Sequence, residues 1–146
     1  MTIYVDMDGV IADFEKSMNE KGMTPKEFKM LRNAYVELEV APGAREGIKA
    51  LQDMGYELHI ATKIPDDNPY AATEKLLWLR EHFPDLAVNV TITPNKGQLG
   101  NPKDFLIDDR IHKAKVADFA GTVLHFGPEG KYKEWMHVID FFENLE

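Results

Sequence analysis

Short apolar runs of β-type residues alternate along the chain with longer amphipathic stretches, the pattern of an α/β domain built on a parallel sheet. Five runs read as strands: Thr2 to Val5, Glu57 to Ala61, Val88 to Thr93, Asp104 to Ile107, and Thr122 to Phe126. Between them, Ile48, Leu51 and Met54 share one helical face after Pro42-Gly43, and Gly55 ends that helix. A longer helix is predicted to start at Asn68 as N-cap, with Pro69 in its first turn. It runs through Leu76, Leu79 and Phe83 until Pro84 stops it. Trp135, Ile139 and Phe142 mark a last helix and read as core.

About thirty residues separate the first strand from Pro42, more than a bare strand-to-helix turn needs. Thr24-Pro25-Lys26-Glu27 is a capping box with proline at the first helical position, and Met23 and Phe28 stand where a hydrophobic staple packs. Phe28, Leu31, Tyr35 and Leu38 then form an apolar stripe, after a shorter helix near Asp13 to Lys21. The expectation is a single domain over 1–146, with its core in 1–13 and 42–146. A small helical insertion over about 14–41 lies across the sheet's C-terminal edge.

Twenty-five acidic against seventeen basic residues leave a formal net charge of −8, which repels nucleic-acid polymers and anionic membrane surfaces but still admits a small phosphate beside local cations. The absence of cysteine excludes disulfides, thiolate metal sites and cysteine nucleophiles. No apolar run approaches the roughly 18 residues of a membrane span. The first strand starts at once, without a basic-then-apolar leader, so a cytoplasmic enzyme is expected.

In an open parallel sheet, ligands bind in the crevice beyond the carboxyl ends of the strands. Strand one ends in Asp6-Met7-Asp8-Gly9-Val10, whose spacing turns two carboxylates toward one pocket. Strand two ends in Thr62-Lys63, strand three is followed by Thr93-Pro94-Asn95-Lys96-Gly97, and strand four delivers Asp108-Asp109-Arg110. Each of these alone reads as a turn, a loop or a solvated end. Together they bring acids, a hydroxyl, a lysine and more acids to four strand ends, an arrangement that costs several kcal/mol or forces protonation unless a cation is bound. All-oxygen donors, without cysteine and without histidine inside these motifs, favour magnesium over zinc. His59, His82, His112, His125 and His137 show no paired ligand spacing and receive no chemistry.

Asp6-Met7-Asp8-Gly9-Val10, Thr62, Lys96 and Asp108-Asp109 resemble, in order, the four motifs of haloacid dehalogenase superfamily phosphatases, across essentially the whole chain. Within that superfamily the chain is most similar to the 5'(3')-deoxyribonucleotidases. The likeness is carried by Asp6 to Glu15, Pro42-Gly43-Ala44 and Phe105 to Arg110, and more weakly by Glu74-Lys75-Leu76-Leu77-Trp78-Leu79. The resemblance implies a Rossmann-like five-stranded parallel sheet and a Mg2+-dependent phosphomonoesterase acting on 5'- or 3'-(deoxy)ribonucleoside monophosphates. Asp6 is then the nucleophile and Asp8 the general acid/base. Mg2+ rests on Asp6, the Asp8 backbone carbonyl and Asp108, with Asp109 nearby, while Thr62 and Lys96 hold the phosphoryl group.

Two positions depart from the nucleotidase pattern. Lys63 stands where serine usually follows the threonine and is carried as a substrate contact, and the insertion is shorter than the helical cap of those enzymes. Phe14, Phe28 and Tyr35 read first as packing of the insertion, with Phe14 retained as a candidate contact to a base. Three alternatives stay open: a phosphatase for another small phosphorylated metabolite, an inactive binding scaffold, and a receiver-type signalling domain that also uses strand-end aspartates, magnesium, threonine and lysine.

Overall fold

Apolar residues that alternate or run continuously through the strands bury both faces of one sheet, as parallel sheets require. The computed structural model describes residues 1–145. Strand β1 (Thr2–Val5) pairs in parallel with β2 (Glu57–Thr62) on one side and β4 (Phe105–Asp108) on the other, Val5 lying opposite both Ile60 and Ile107. β3 (Val90–Ile92) and β5 (Thr122–His125) complete the order β3-β2-β1-β4-β5. The chain thus winds outward from β1 to β3 and returns to β4 on the opposite side, opening a crevice between β1 and β4. This order also removes the receiver-type alternative, whose sheet runs 2-1-3-4-5.

The strands differ slightly from the sequence expectation. β3 is shorter, because Val88 belongs to the turn before it, where its side chain is 82% exposed. β2 and β4 each run one residue further, so the sheet ladder itself holds Thr62 and Asp108.

Helix α3 (Ala44–Asp53) ends as expected at Gly55, whose φ is +89°. It lies against α5 (Trp135–Leu145) at Gly47, where a Cβ would come within 2.3 Å of the Trp135 ring. Trp135 in turn donates its indole N–H to Val10 O at 2.9 Å, bracing the turn after β1. Helix α4 (Tyr70–His82) starts later than expected. Asn68 makes no cap bond, and its side-chain amide donates instead to Lys29 O at 2.7 Å.

In the 14–41 segment, α1 (Phe14–Glu20) is capped by Asp13 and α2 (Pro25–Met30) by the Thr24/Glu27 capping box. The apolar stripe beyond it is buried at Phe28, Tyr35 and Leu38 but does not form one helical face. Leu31 is extended and Asn33 has φ +65°, because the amides of Asn33 and Tyr35 donate to the Glu74 carboxylate on α4 rather than within a helix. The segment leaves and rejoins the sheet through paired backbones, Asp13 N to Glu39 O and Ala41 N to Ile11 O. No described helix is long and apolar enough to cross a membrane.

Candidate active site

The turn after β1 is built for close approach. The amides of Val10, Ile11 and Ala12 converge on Met7 O, and Gly9 takes φ +83°. A Cβ on Gly9 would stand 2.0 Å from Asp109 Oδ2, so only glycine lets the β4 loop come this near. Asp6 follows β1 and Asp108 ends β4, which places both at the crevice where the winding reverses. Carboxylate oxygens of Asp6, Asp108 and Asp109 lie within 4.8 Å of one another.

Lys96, buried in a 3-10 turn at Lys96–Gln98, joins them. Its Nζ donates to Asp6 Oδ1 at 2.9 Å and to Asp108 Oδ2 at 2.7 Å. Burial works against the charge of Asp6, but Lys96, the hydrogen bond from Asp109 and the more distant Lys75 hold its carboxyl below the usual range. Burial works equally against Lys96, and the facing carboxylates of Asp6 and Asp108 raise it. Asp108 and Asp109 go the other way. Burial first, then the negative charge of Asp6, pushes Asp108 up to about 7 and Asp109 up to about 9. Asp6 and Asp108 are buried and share Lys96, and half-buried Asp109 adds a third carboxyl beside them, so ionising all three leaves more negative charge than that lysine offsets. The donor set therefore fits a divalent cation with oxygen ligands.

Asp8 faces a different partner. Its Oδ2 pairs with Lys75 Nζ at 3.1 Å, and its Oδ1 is buried without a hydrogen-bond partner. Lys75, on α4 and fully buried, also donates to Thr62 Oγ1 at 2.9 Å and Lys63 O at 2.7 Å, and it sits 5.0 Å from the Tyr35 ring centroid. Thr62 thus spends a lone pair on Lys75 and keeps its hydroxyl hydrogen to donate. The sequence marks Lys75 only as part of a family-like helix, and its one further signal is a lysine among α4's inward-facing residues, one helical turn before the buried Trp78 and Leu79.

An open cavity of about 940 Å3 rises from these groups. It brings together Asp6, Asp8, Lys96, Asp108 and Asp109, and Phe14 and Tyr35 line its wall. Phe14 is buried, edge-on to Phe28 at 4.9 Å between ring centroids. The Lys63 side chain also lines the cavity, but it is exposed and lies 3.8 Å from Asp66, while Lys75 fills the buried position beside Thr62. The carboxylate of Asp8 is turned to Lys75 and stands apart from the Asp6, Asp108 and Asp109 group. Among the histidines, His125 reaches the site's periphery, with Nε2 3.2 Å from Asp109 O.

Comparison with known proteins gives this geometry a family. The model for "5' nucleotidase, deoxy (Pyrimidine), cytosolic type C protein" matches residues 19–140. A Vibrio phage KVP40 protein, provisionally named a 5'(3')-deoxyribonucleotidase, is 26% identical over 144 residues, covering 95% of this chain and 82% of its own. The mitochondrial 5'(3')-deoxyribonucleotidase of Mus musculus is 27% identical over 173 residues, covering 95% and 72%. Two solved structures share the fold. A hydrolase from Pseudomonas syringae superposes with a TM-score of 0.62 at 14% identity, over 100% of both chains. A haloacid dehalogenase superfamily hydrolase from Ehrlichia chaffeensis gives 0.57 at 14%, over 99% and 96%. With its acids, threonine and lysines gathered at the switch point of such a sheet, the chain belongs to the type C deoxy 5' nucleotidase family and is a phosphoric monoester hydrolase.

Proposed function

We propose that this chain removes phosphate from nucleoside 5'- or 3'-monophosphates by way of an aspartyl-phosphate on Asp6, with Mg2+ as its metal. The observation that carries the reading is the division of labour around two lysines. Lys96 keeps Asp6 ionised beside Asp108, while Lys75 holds Asp8 through Oδ2 and leaves Asp8 Oδ1 without a hydrogen-bond partner. The names of the phage and mouse relatives support a nucleotide as substrate.

In this reading Asp6 attacks phosphorus, the ester P–O bond breaks, and Asp8 gives a proton to the departing alkoxide. A water then attacks the aspartyl-phosphate, Asp8 takes its proton, and inorganic phosphate leaves with Asp6 restored. Thr62 O–H donates to a phosphoryl oxygen, Lys75 holds Thr62 and Asp8 in place beside it, and Lys96 offsets charge on Asp6 as the anionic ester approaches. Asp6, Asp108 and the Asp8 carbonyl are the groups that would hold Mg2+, with Asp109 beside them. When bound, the ion supplies electrostatic stabilisation of charge developing on phosphoryl oxygen. Residues 14–41 act as a cap over this cavity, and Phe14 presents an aromatic edge to the base.

The test is phosphate release from a panel of 5'- and 3'-nucleotides, extended to sugar phosphates, with and without EDTA, for the native chain and for Asp6→Asn. Metal-dependent turnover of nucleotides that Asp6→Asn abolishes is the expected result. Full activity in Asp6→Asn, or turnover indifferent to EDTA, would overturn the mechanism. A clear preference for sugar phosphates would overturn the nucleotide assignment alone.

A further inference from the structure

The cavity holds two sets of cations. Lys75 and Lys96 are buried and committed to the catalytic carboxylates. Lys29, Lys63, Arg110 and Lys113 line the same cavity from three separate segments, half-buried or exposed. Among the described residues Lys29, Arg110 and Lys113 form no ion pair, and Lys63 only approaches Asp66 at 3.8 Å. Their proximity registers on Lys29, whose ammonium is held below the usual lysine range. Burial is the main cause, repulsion from Arg110 follows, and Lys63 and Lys113 add to it against one attraction from Asp8.

These cations are not loosely strewn, because their backbones are tied to the catalytic residues, to α4 or to the loop that leads into it. Lys29 O accepts from Asn68, Lys63 O from Lys75, and Arg110 N donates to Asp108 Oδ1 at 2.9 Å. The loop carrying Arg110 and Lys113 is also anchored by Lys96 N, which donates to Ala114 O at 2.8 Å. Ala114 and Lys115 take φ +49° and +53° there, a left-handed conformation that non-glycine residues keep only where their surroundings hold them. Asp13, Glu15, Glu129 and Glu134 also line the cavity, yet none pairs with any of the four. In a chain of net charge −8, four cations that line one cavity, of which only Lys63 lies within ion-pair distance of an acid among the described residues, attract an anion.

We propose that Lys29, Lys63, Arg110 and Lys113 form a second anion subsite, so that the preferred substrate is a phosphate ester carrying another phosphate, such as a nucleoside 3',5'-bisphosphate. The proposal rests on the phosphomonoesterase reading above. The scissile phosphate lies at Asp6 and the other phosphate lies against the four cations and is not cleaved. The alternative to a subsite is a diffuse attraction that draws in every anionic ester alike.

Binding separates the two without requiring turnover. Calorimetric titration of the Asp6→Asn protein, with Mg2+ present, compares deoxythymidine 5'-monophosphate with deoxythymidine 3',5'-bisphosphate. The expected result is a Kd about tenfold or more tighter for the bisphosphate. That ratio should collapse toward one when Lys29→Ala and Lys113→Ala are added, with the monophosphate Kd changing much less. Equal affinity for the two nucleotides, or equal weakening of both by the lysine substitutions, overturns the subsite. Turnover of the monophosphate by the native chain is read alongside. Its absence would count against the parent activity, while the binding ratio still decides the subsite.

Discussion

Lys75 Nζ lies 3.1 Å from Asp8 Oδ2, which ties a helix of the fold's interior to the acid that follows β1. The same ammonium donates to Thr62 Oγ1, so one buried cation sets the directions of two site groups contributed by different strands. Lys75→Met keeps the bulk of the side chain and removes the donor. Steady-state kinetics should show kcat lowered by roughly 10²-fold, the scale of losing one electrostatic contact in a dry site. Near-native kcat in a folded Lys75→Met protein would remove Lys75 from the machinery.

Gly9 and Gly55 make a matched pair. Both take positive φ, +83° and +89°, but a Cβ at Gly55 meets nothing within 4 Å, whereas at Gly9 it overlaps Asp109. Gly55→Ala should cost about 1 kcal/mol from backbone strain. Gly9→Ala should cost that and more, about 2–3 kcal/mol in urea unfolding, because Asp109 must also move. It should also impair metal binding, which Gly55→Ala leaves intact.

Asp108 and Asp109 are raised by burial and then by the charge of Asp6, to about 7 and about 9. A raised carboxyl holds its proton more tightly in the folded chain than in the unfolded one. In the metal-free protein their contribution is therefore favourable at low pH. It is lost as pH climbs from about 4 through those values. A bound divalent cation stabilises the ionised forms, so the rise in Tm on adding Mg2+ should be larger near about pH 8 than near about pH 5. Thermal melts at the two pH values, with and without Mg2+, check the sign.

Glu74 anchors the 14–41 segment by accepting the amides of Asn33 and Tyr35, and Trp78 adds a bond from its indole N–H to Leu38 O at 2.8 Å. Glu74→Ala leaves two donors without their acceptor, at about 1–3 kcal/mol for each that stays dry. Hydrogen exchange should quicken first at residues 33 and 35, and KM should rise more than kcat falls if this segment closes on substrate. Unchanged exchange at both amides would show that Glu74 does not hold the segment.

Much of this molecule is legible in its residue order. The five strands, the Thr24/Glu27 capping box and Gly55 follow from local spacing and local hydrogen bonding, so each appears in the structure close to its expected place. The grouping of Asp6, Lys96, Asp108 and Asp109 was also readable, because strand ends in a parallel sheet share one edge. Local pattern failed where a distant side chain supplied the hydrogen bond. The stripe from Phe28 to Leu38 has helical spacing, yet the chain turns at Leu31 and Asn33 to meet Glu74. Asn68 has the chemistry of an N-cap, yet it donates to Lys29 O instead.

The amino-acid sequence alone therefore determined the sheet and the set of acids at its strand ends, and it raised the expectation of a cation beside them, since these depend on periodicity and on charge count. Only the tertiary structure decided that Lys75 rather than Lys63 stands buried beside Thr62, that Asp8 turns from the other carboxylates toward it, and that four cations from three segments line one cavity. Those outcomes rest on which face of α4 the core buries and on how closely Gly9 lets two loops approach. Both are distances between residues far apart in the chain, which residue order does not express.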